Sequence, residues 1–214
     1  MRETIHKAHQ AVLLWMIALS MLWVLWPPAL RFPQLWVLVV LSLLVNVLQP
    51  TYRLTACAED REDRGTFLQI VGSVYATQVA ALVELIVRKP AALRFDALAW
   101  GALGVMIAGL ALRTWAVRTL GRSFTLQLHV EPGQRIVQEG PYRWIRHPSY
   151  AGAWLTFVAS CVLLGSGVAA GLAALALAAA FARRIRYEER LLAERSPGYR
   201  TYAARTGALL PRVW

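Results

Sequence analysis

The chain consists of long apolar blocks separated by shorter polar connections, a pattern typical of a protein whose helices cross a lipid bilayer. Four blocks occupy the first half of the sequence, at residues 11–26, 33–48, 67–87 and 97–117. A helix needs about 20 apolar residues to cross the hydrocarbon core, so the last two blocks are long enough and the first two are slightly short. Tryptophans near the ends of the first two blocks suit the interfacial aromatic belt. We predict four transmembrane helices within residues 1–117.

A further apolar region, residues 150–182, is interrupted by Gly-Ser-Gly at 165–167. It is either one long tilted helix or two short helices that turn back on each other, and we favour the hairpin. Gly167 and Gly171 form a GxxxG pattern, which predicts close helix packing because small side chains let backbones approach. The expected fold class is all-α: a polytopic membrane helical bundle with four spans, a C-terminal helical hairpin, a polar loop at 118–149 and a polar C-terminal tail.

Composition supports a membrane protein and narrows its partners. Hydrophobic residues make up 57% of the chain, charged residues make up 16%, and the formal net charge is +11. Such a basic charge suggests nucleic acid in a soluble protein, but here the Lys and Arg flank the apolar blocks, where anionic headgroups bind them. We therefore expect membrane lipids, and no nucleic acid, as partners. The two cysteines and four histidines lack metal-ligand spacing, so no metal site is expected.

The distribution of basic residues predicts the orientation in the membrane. With four spans and a hairpin, the N-terminus, the loops at 51–65 and 118–149, and the C-terminal tail lie on one side. Most Lys and Arg fall there, so the positive-inside rule makes that side the cytoplasm, although Arg88, Lys89 and Arg94 lie opposite. The first apolar block lacks a small-residue cleavage site, and we interpret it as a retained anchor.

Polar residues of unusual type precede the last apolar region. The segment 140–152 reads GPYRWIRHPSYAG. Pro148 disfavours helix at His147, so the imidazole is expected in an extended or turn segment at the membrane surface, beside Tyr142 and Tyr150, where it can meet a ligand. The alternative is that these aromatic and basic residues only anchor the chain at the interface.

A second polar cluster follows the last apolar region. Arg184 and Glu188 are four residues apart, so they share a face if the helix continues past Ala182. The simple interpretation is a surface ion pair that contributes about 0.2–0.5 kcal/mol. A carboxylate at the membrane boundary also suits a cationic cofactor, because a sulfonium or ammonium charge is costly to desolvate without a partner.

The two clusters together resemble the signature of the isoprenylcysteine carboxyl methyltransferase family. The resemblance covers roughly residues 121–211, and its spacer of about 35 apolar residues matches as well. Its elements are Gly140-Pro141-Tyr142, Arg146-His147-Pro148-Ser149-Tyr150-Ala151-Gly152, Glu188-Glu189-x-x-Leu192, and then Tyr199 and Tyr202. The resemblance implies an integral membrane methyltransferase that uses S-adenosyl-L-methionine and releases S-adenosyl-L-homocysteine, with residues 118–214 as its catalytic region.

The resemblance also implies particular site residues, in a cytosol-facing pocket that a lipophilic or lipid-linked acceptor enters from the bilayer. Arg184 falls where the family places an arginine near the acceptor, and Glu188 joins it as a catalytic candidate. Expected cofactor contacts are Gln127 or His129, Gln134, Arg135, Ile136, Val137, Tyr142, His147, Pro148, Ser149, Tyr150, Glu188 and Glu189. The implied location is a multi-pass position in a bacterial inner membrane with the active site facing the cytoplasm.

Several functions remain open at this level. The implied acceptor is a prenylcysteine-like carboxylate, and the alternatives are phospholipid N-methylation and thiol S-methylation. A different class is a non-catalytic sensor or transporter that uses Glu84, Arg113 and the basic tail. Glu84 lies four residues before Arg88 and Arg113 can snorkel, so both have structural explanations. A soluble methyltransferase is excluded because no strand leads into a glycine-rich turn, and three glycines of the fourth block are interpreted as packing residues: Gly101, Gly104 and Gly109.

Overall fold

The apolar blocks form helices, because a backbone in lipid must satisfy its hydrogen bonds within its own segment. A computed structural model describes residues 16–17, 19–20, 22–48, 64–90, 93–121, 124 and 136–210. The α-helices whose bounds lie within these residues are α1 Pro33–Leu48, α2 Thr66–Arg88, α3 Ala97–Leu120, α4 Pro148–Leu163, α5 Gly167–Arg195 and α6 Tyr199–Ala203. Two 3₁₀ helices, Pro27–Arg31 and Gly140–Arg143, complete the set, and this described part contains no β-strand. The predicted all-helical fold is confirmed.

Three of the described helices are long and apolar enough to cross a membrane, namely α2, α3 and α5. α1 and α4, with 16 residues each, are shorter. The predicted blocks at 33–48, 67–87 and 97–117 match α1, α2 and α3 closely. Of the predicted block at 11–26, residues 11–15, 18 and 21 lie outside the described residues, and the described residues at 16–17, 19–20 and 22–25 are helical. Within the bundle α3 packs along α4, and α2 packs along α5.

The predicted C-terminal hairpin is present. α4 ends at Leu163 and α5 begins at Gly167, with Gly165 in the left-handed region at a φ of 68°. The two helices run antiparallel, and the Trp154 indole N–H donates to the Ala174 carbonyl at 3.0 Å. α5 continues past the apolar region to Arg195, so the charged cluster that follows Ala182 lies on the same helix.

Two glycines allow α3 and α4 to touch backbone to backbone. A Cβ atom at Gly109 would lie 2.7 Å from the Gly152 carbonyl oxygen, and one at Gly152 would lie 2.5 Å from the Gly109 carbonyl oxygen. The packing interpretation of Gly109 is therefore confirmed. Four other glycines show no such packing within the described residues, because no atom of another element lies within 4 Å of a Cβ built on them: Gly101, Gly104, Gly167 and Gly171. The GxxxG pattern of α5 thus lies on an exposed face.

The two ionisable residues considered for a sensor or transporter both have structural roles. Glu84 accepts hydrogen bonds from the backbone N–H groups of Val168 at 3.3 Å and Ala169 at 2.8 Å, and it pairs with Arg88 at 3.3 Å. It therefore caps the first turn of α5. Arg113 donates to the Ser149 carbonyl at 3.1 Å, which ties α3 to the start of α4.

We expect Glu84→Ala to lower the free energy of unfolding by about 1 kcal/mol, because two N–H groups at the start of α5 lose their acceptor. The unfolding midpoint of the purified protein in detergent measures the effect. Glu194→Ala is the matched control, since Glu194 is exposed near the C-terminal end of the same helix, where a negative charge gives no stabilisation. Equal midpoints for the two variants would contradict the capping role.

Candidate functional site

The first part of the site is the turn that begins α4. His147 is the N-cap residue, with φ −124° and ψ 56°, and Pro148 occupies the first helical position, where its missing N–H costs nothing. The expectation of a non-helical His147 is confirmed. The imidazole is buried within the protein, with only 4% of its side chain exposed. The C-terminal segment of the chain covers it.

The imidazole of His147 lies between two carboxylates of α5. One ring nitrogen, Nε2, is 3.1 Å from Glu189 Oε1, and the other, Nδ1, is 3.8 Å from Glu188 Oε2. The ring also stacks on Tyr150, with the two planes 6° from parallel. The turn before α4 and the acidic pair beyond the apolar part of α5 therefore meet in one place.

The Tyr150 hydroxyl connects the arginine and the acid that the sequence pairs. It donates to Glu188 Oε2 at 2.8 Å and accepts from Arg184 Nε at 2.8 Å. A second guanidinium nitrogen of Arg184 donates to Thr66 Oγ1, the first residue of α2, at 3.2 Å. Arg184 is buried, and its orientation is fixed from two sides by hydroxyl groups. The arrangement is thus more than the surface ion pair of the simple interpretation.

Arg146 binds the C-terminal tail to the turn before α4. Its Nε donates to Glu189 Oε1 at 2.7 Å, and its NH1 donates to the carbonyl groups of Ala203 and Thr206. Backbone hydrogen bonds follow, from Arg146 N to the Gly207 carbonyl at 2.8 Å and from His147 N to the Ala208 carbonyl at 3.0 Å. Arg146 was not among the predicted site residues, although its place directly before His147 in the motif was a signal for a role.

Three tyrosines brace the same region. The Tyr202 hydroxyl donates to the Tyr142 carbonyl at 2.8 Å, and the Tyr142 hydroxyl reaches the Ala116 carbonyl at 3.5 Å. Burial raises the pKa of Tyr202 to about 12. Burial also raises the pKa of Tyr142 and of Tyr199 well above that of a free tyrosine. All three therefore remain neutral hydroxyls at physiological pH.

The other expected cofactor contacts are placed as follows. Pro148 and Ser149 are buried in the first turn of α4, and Ile136 and Val137 are half-buried in the segment before the second 3₁₀ helix. The structure thus brings Tyr142, His147, Pro148, Ser149, Tyr150, Arg184, Glu188 and Glu189 into one region. Four expected contacts lie outside the described residues: Gln127, His129, Gln134 and Arg135.

The acidic pair is suited to hold a cationic group. The side chains of Glu188 and Glu189 are 27% and 25% exposed, whereas the imidazole of His147, which lies between the two carboxylates, is buried. Glu188 Oε2 accepts from the Tyr150 hydroxyl and lies 3.8 Å from the imidazole of His147, and the carboxylate keeps part of its surface exposed. A partly desolvated carboxylate complements a sulfonium or ammonium group, and the aromatic rings beside it suit an aromatic part of the same ligand.

Comparison with known proteins agrees with this picture. Residues 102–194 match the model of the isoprenylcysteine carboxyl methyltransferase (ICMT) family. Protein-S-isoprenylcysteine O-methyltransferase B of Arabidopsis thaliana is 37% identical over 114 residues, which are 52% of this chain and 58% of that protein. The uncharacterized protein YpbQ of Bacillus subtilis is 32% identical over 96 residues, which are 45% of this chain and 57% of YpbQ. The chain thus spans somewhat more than half the length of these curated relatives.

A solved structure shares the fold. The eukaryotic intramembrane Ras methyltransferase ICMT superposes with a TM-score of 0.60 and 23% sequence identity, over 85% of this chain and 66% of that one. At this identity the superposition supports the helical architecture, and the sequence matches support the kinship. The resemblance to the isoprenylcysteine carboxyl methyltransferase family, predicted from the two motif clusters, is therefore confirmed over residues 102–194 of this chain.

Proposed function

We propose that this chain is an integral membrane methyltransferase that uses S-adenosyl-L-methionine and methylates a lipophilic acceptor, with a prenylcysteine-like carboxylate as the favoured acceptor. The observation that carries the proposal is the convergence of the His147 turn with Arg184, Glu188 and Glu189 at one end of the helical bundle. The family match of residues 102–194 supports the same reaction class.

The cofactor site in this proposal is built from the acidic pair and the turn before α4. S-adenosyl-L-methionine, when bound, supplies a methyl group on a positively charged sulfur. Glu188 and Glu189 compensate that positive charge in a partly desolvated position. His147 and Tyr150 hold the two carboxylates in place through the 3.1 Å and 2.8 Å contacts. Most of the remaining expected contacts come from residues 127–137, in the polar loop.

Arg184 has the chemistry to orient the acceptor. Its buried guanidinium is held by Tyr150 and by Thr66, so its orientation is fixed before any acceptor arrives. A carboxylate acceptor is already ionised, and no base has to remove a proton from it. The arginine binds it by charge-assisted hydrogen bonds and, together with the apolar ends of α2 and α5, holds it in line away from water.

The alternative acceptors are supported less well by this geometry. A phospholipid amine reacts through a neutral nitrogen, and a thiol reacts as a thiolate with one sulfur atom, so neither uses the paired hydrogen bonds that a guanidinium gives to a carboxylate. Arg184 would disfavour the protonated form of an amine and favour a thiolate, so phospholipid N-methylation and thiol S-methylation are the second candidates. Incubation with labelled S-adenosyl-L-methionine and three acceptors, a farnesylated cysteine, phosphatidylethanolamine and an alkyl thiol, distinguishes them by which product carries label.

We expect Glu188→Gln and His147→Ala to weaken the binding of S-adenosyl-L-homocysteine at least tenfold, whereas Arg184→Ala lowers turnover about a hundredfold with product affinity preserved. Calorimetry on purified variants measures affinity, and label transfer measures turnover. Glu194→Gln, with the same charge loss on an exposed position of α5, is the control for Glu188→Gln.

Two outcomes would contradict the proposed function. Undiminished affinity in both Glu188→Gln and His147→Ala would remove the cofactor site. Intact binding with no label on any acceptor would instead favour the non-catalytic sensor class.

The chain is a membrane protein, and we propose that the site faces the cytoplasm of a bacterial inner membrane. Supporting this orientation, the end of α5 beside the site carries Arg183, Arg184, Arg186 and Arg190, as the positive-inside rule expects of a cytoplasmic end. YpbQ provides a bacterial relative. Labelling of a cysteine placed at the exposed Arg200 in intact cells and in inverted vesicles would test the orientation.

A further inference from the structure

We propose that three arginines around Tyr187 form a binding site for the phosphate group of an anionic membrane lipid. The three residues, named here the arginine cluster, are Arg64, Arg183 and Arg190. Arg64 lies just before α2, and the other two lie on α5. This proposal concerns a lipid that is not methylated, and it stands apart from the catalytic assignment of Arg184.

The arginine cluster surrounds a single aromatic ring. The guanidinium carbons of Arg64, Arg183 and Arg190 lie 5.2, 5.8 and 6.0 Å from the centroid of the Tyr187 ring. These are cation–π distances, so three positive groups lie around one ring. Like charges gathered around one ring repel, so the arrangement favours a bound anion.

Among the residues that the structure describes, no carboxylate supplies that anion. Within the described residues, no salt bridge involves Arg64, Arg183 or Arg190, although the acidic pair lies on the same helix. Glu188 and Glu189 point instead toward Tyr150, His147 and Arg146. A guanidinium group can give two parallel hydrogen bonds to the oxygens of a phosphate group. A phosphate group therefore suits a cluster of three arginines.

One member of the cluster is fixed and two are exposed. Arg183 donates to Gln69 Oε1 at 2.6 Å and to the Arg64 carbonyl at 2.9 Å, which joins the start of α2 to α5. The side chains of Arg64 and Arg190 are exposed and can close on a ligand. The site therefore has a rigid base and two movable donors.

The position of the cluster identifies a lipid as the occupant. Arg183 directly follows Ala182, where the apolar part of α5 ends, so the cluster lies at the depth of the headgroups. On α2 a stripe of exposed residues begins one turn beyond Arg64 and runs away from the cluster: Leu68, Gly72, Tyr75, Val79 and Val83. Their spacing of three or four places them on one helix face, along which an acyl chain can lie.

The test compares two double variants that remove the same charge. Arg64→Gln/Arg190→Gln changes the exposed members of the cluster and leaves Arg183 in its bonds. Arg200→Gln/Arg205→Gln is the matched control, because both residues are exposed in the C-terminal region away from Tyr187. Each protein is placed in neutral detergent with phosphatidylcholine, and phosphatidylglycerol is then titrated while native mass spectrometry counts bound lipid.

We expect the unchanged chain and the control to retain one phosphatidylglycerol with at least tenfold higher affinity than Arg64→Gln/Arg190→Gln. Phosphatidylcholine should show no such difference. Equal phosphatidylglycerol affinity in the two double variants would overturn the proposal. Saturation of the site by millimolar inorganic phosphate, with loss of the bound lipid, would also overturn it in favour of a soluble anion. Unfolding midpoints in phosphatidylcholine alone, and affinity for S-adenosyl-L-homocysteine, should be equal in both variants, which separates this site from the proposed cofactor site.

Discussion

Replacement of Arg146 by alanine is expected to release the C-terminal tail and to weaken the binding of S-adenosyl-L-homocysteine at least tenfold. The guanidinium donates to Glu189 and to the carbonyl groups of Ala203 and Thr206, and its side chain is only 7% exposed. Its removal leaves a partly buried carboxylate and two carbonyl groups without their donor, a loss of about 2 kcal/mol or more. Because Glu189 also contacts His147, the disturbance reaches the turn before α4 directly.

Two measurements separate a positioning role of Arg146 from a general loss of stability. Calorimetry reports ligand affinity, and limited proteolysis reports whether the tail at 204–210 becomes accessible while the transmembrane helices stay protected. Arg143→Ala is the matched control, because this substitution removes the same charge and Arg143 is exposed in the preceding 3₁₀ helix. Arg146→Lys keeps the charge but cannot form the same fork of hydrogen bonds, and it should fall between the two. Tail protection and affinity equal to those of Arg143→Ala would refute the role of Arg146.

The pattern of apolar and polar residues was sufficient to predict most of the helices and the hairpin. Long apolar blocks specify helices in lipid, and the Gly-Ser-Gly interruption specified the hairpin because Gly165 adopts a positive φ that other residues rarely tolerate. The extent of α5 was harder to predict. Its last 13 residues, 183–195, are strongly charged, and their helicity depends on packing against the tail and α2 as well as on apolar periodicity.

Glycine spacing was a poor guide to helix contacts. Gly109 and Gly152 form the close approach, yet they lie on different helices and make no sequence motif with each other. Gly167 and Gly171 form the familiar GxxxG pattern and lie on an exposed face. A small residue permits close packing, but which face meets a neighbour depends on the arrangement of the whole bundle.

The sequence predicted which residues form the candidate site, but it predicted only part of how those residues contact one another. Two motifs separated by an apolar hairpin must come together, because antiparallel helices return the chain to the side from which it started. The sequence therefore placed His147, Arg184 and Glu188 in one region. It did not reveal the Tyr150 hydroxyl as the link between Arg184 and Glu188, nor the clasp formed by residues 203–208. Much of that clasp consists of backbone hydrogen bonds, which leave no pattern in side-chain chemistry.

Gly152→Ala is expected to destabilise the protein by about 3 kcal/mol or more and to abolish methyl transfer, although it adds a single methyl group. The new Cβ atom would lie 2.5 Å from the Gly109 carbonyl oxygen and 2.7 Å from the Arg113 backbone nitrogen. Both are backbone atoms of α3, so no side chain can rotate to relieve the overlap, and α4 must move away from α3. Tyr150 and the His147 turn lie at the start of α4 and would move with it.

Gly171→Ala makes the same chemical change on the exposed face of α5, where no described atom lies within 4 Å of the added Cβ. It should leave the unfolding midpoint unchanged or raise it, because alanine stabilises a helix interior relative to glycine by roughly 0.5–1 kcal/mol. The unfolding midpoint in detergent and the affinity for S-adenosyl-L-homocysteine are compared for the two variants. Gly152→Ser, which adds a similar Cβ, should behave as Gly152→Ala does. The outcome that would contradict the prediction is that both Gly152 variants unfold at the same temperature as Gly171→Ala. In that case the backbone contact between α3 and α4 does not position the site. The contacts that bring His147 to the acidic pair would then lie in α5 and the tail alone.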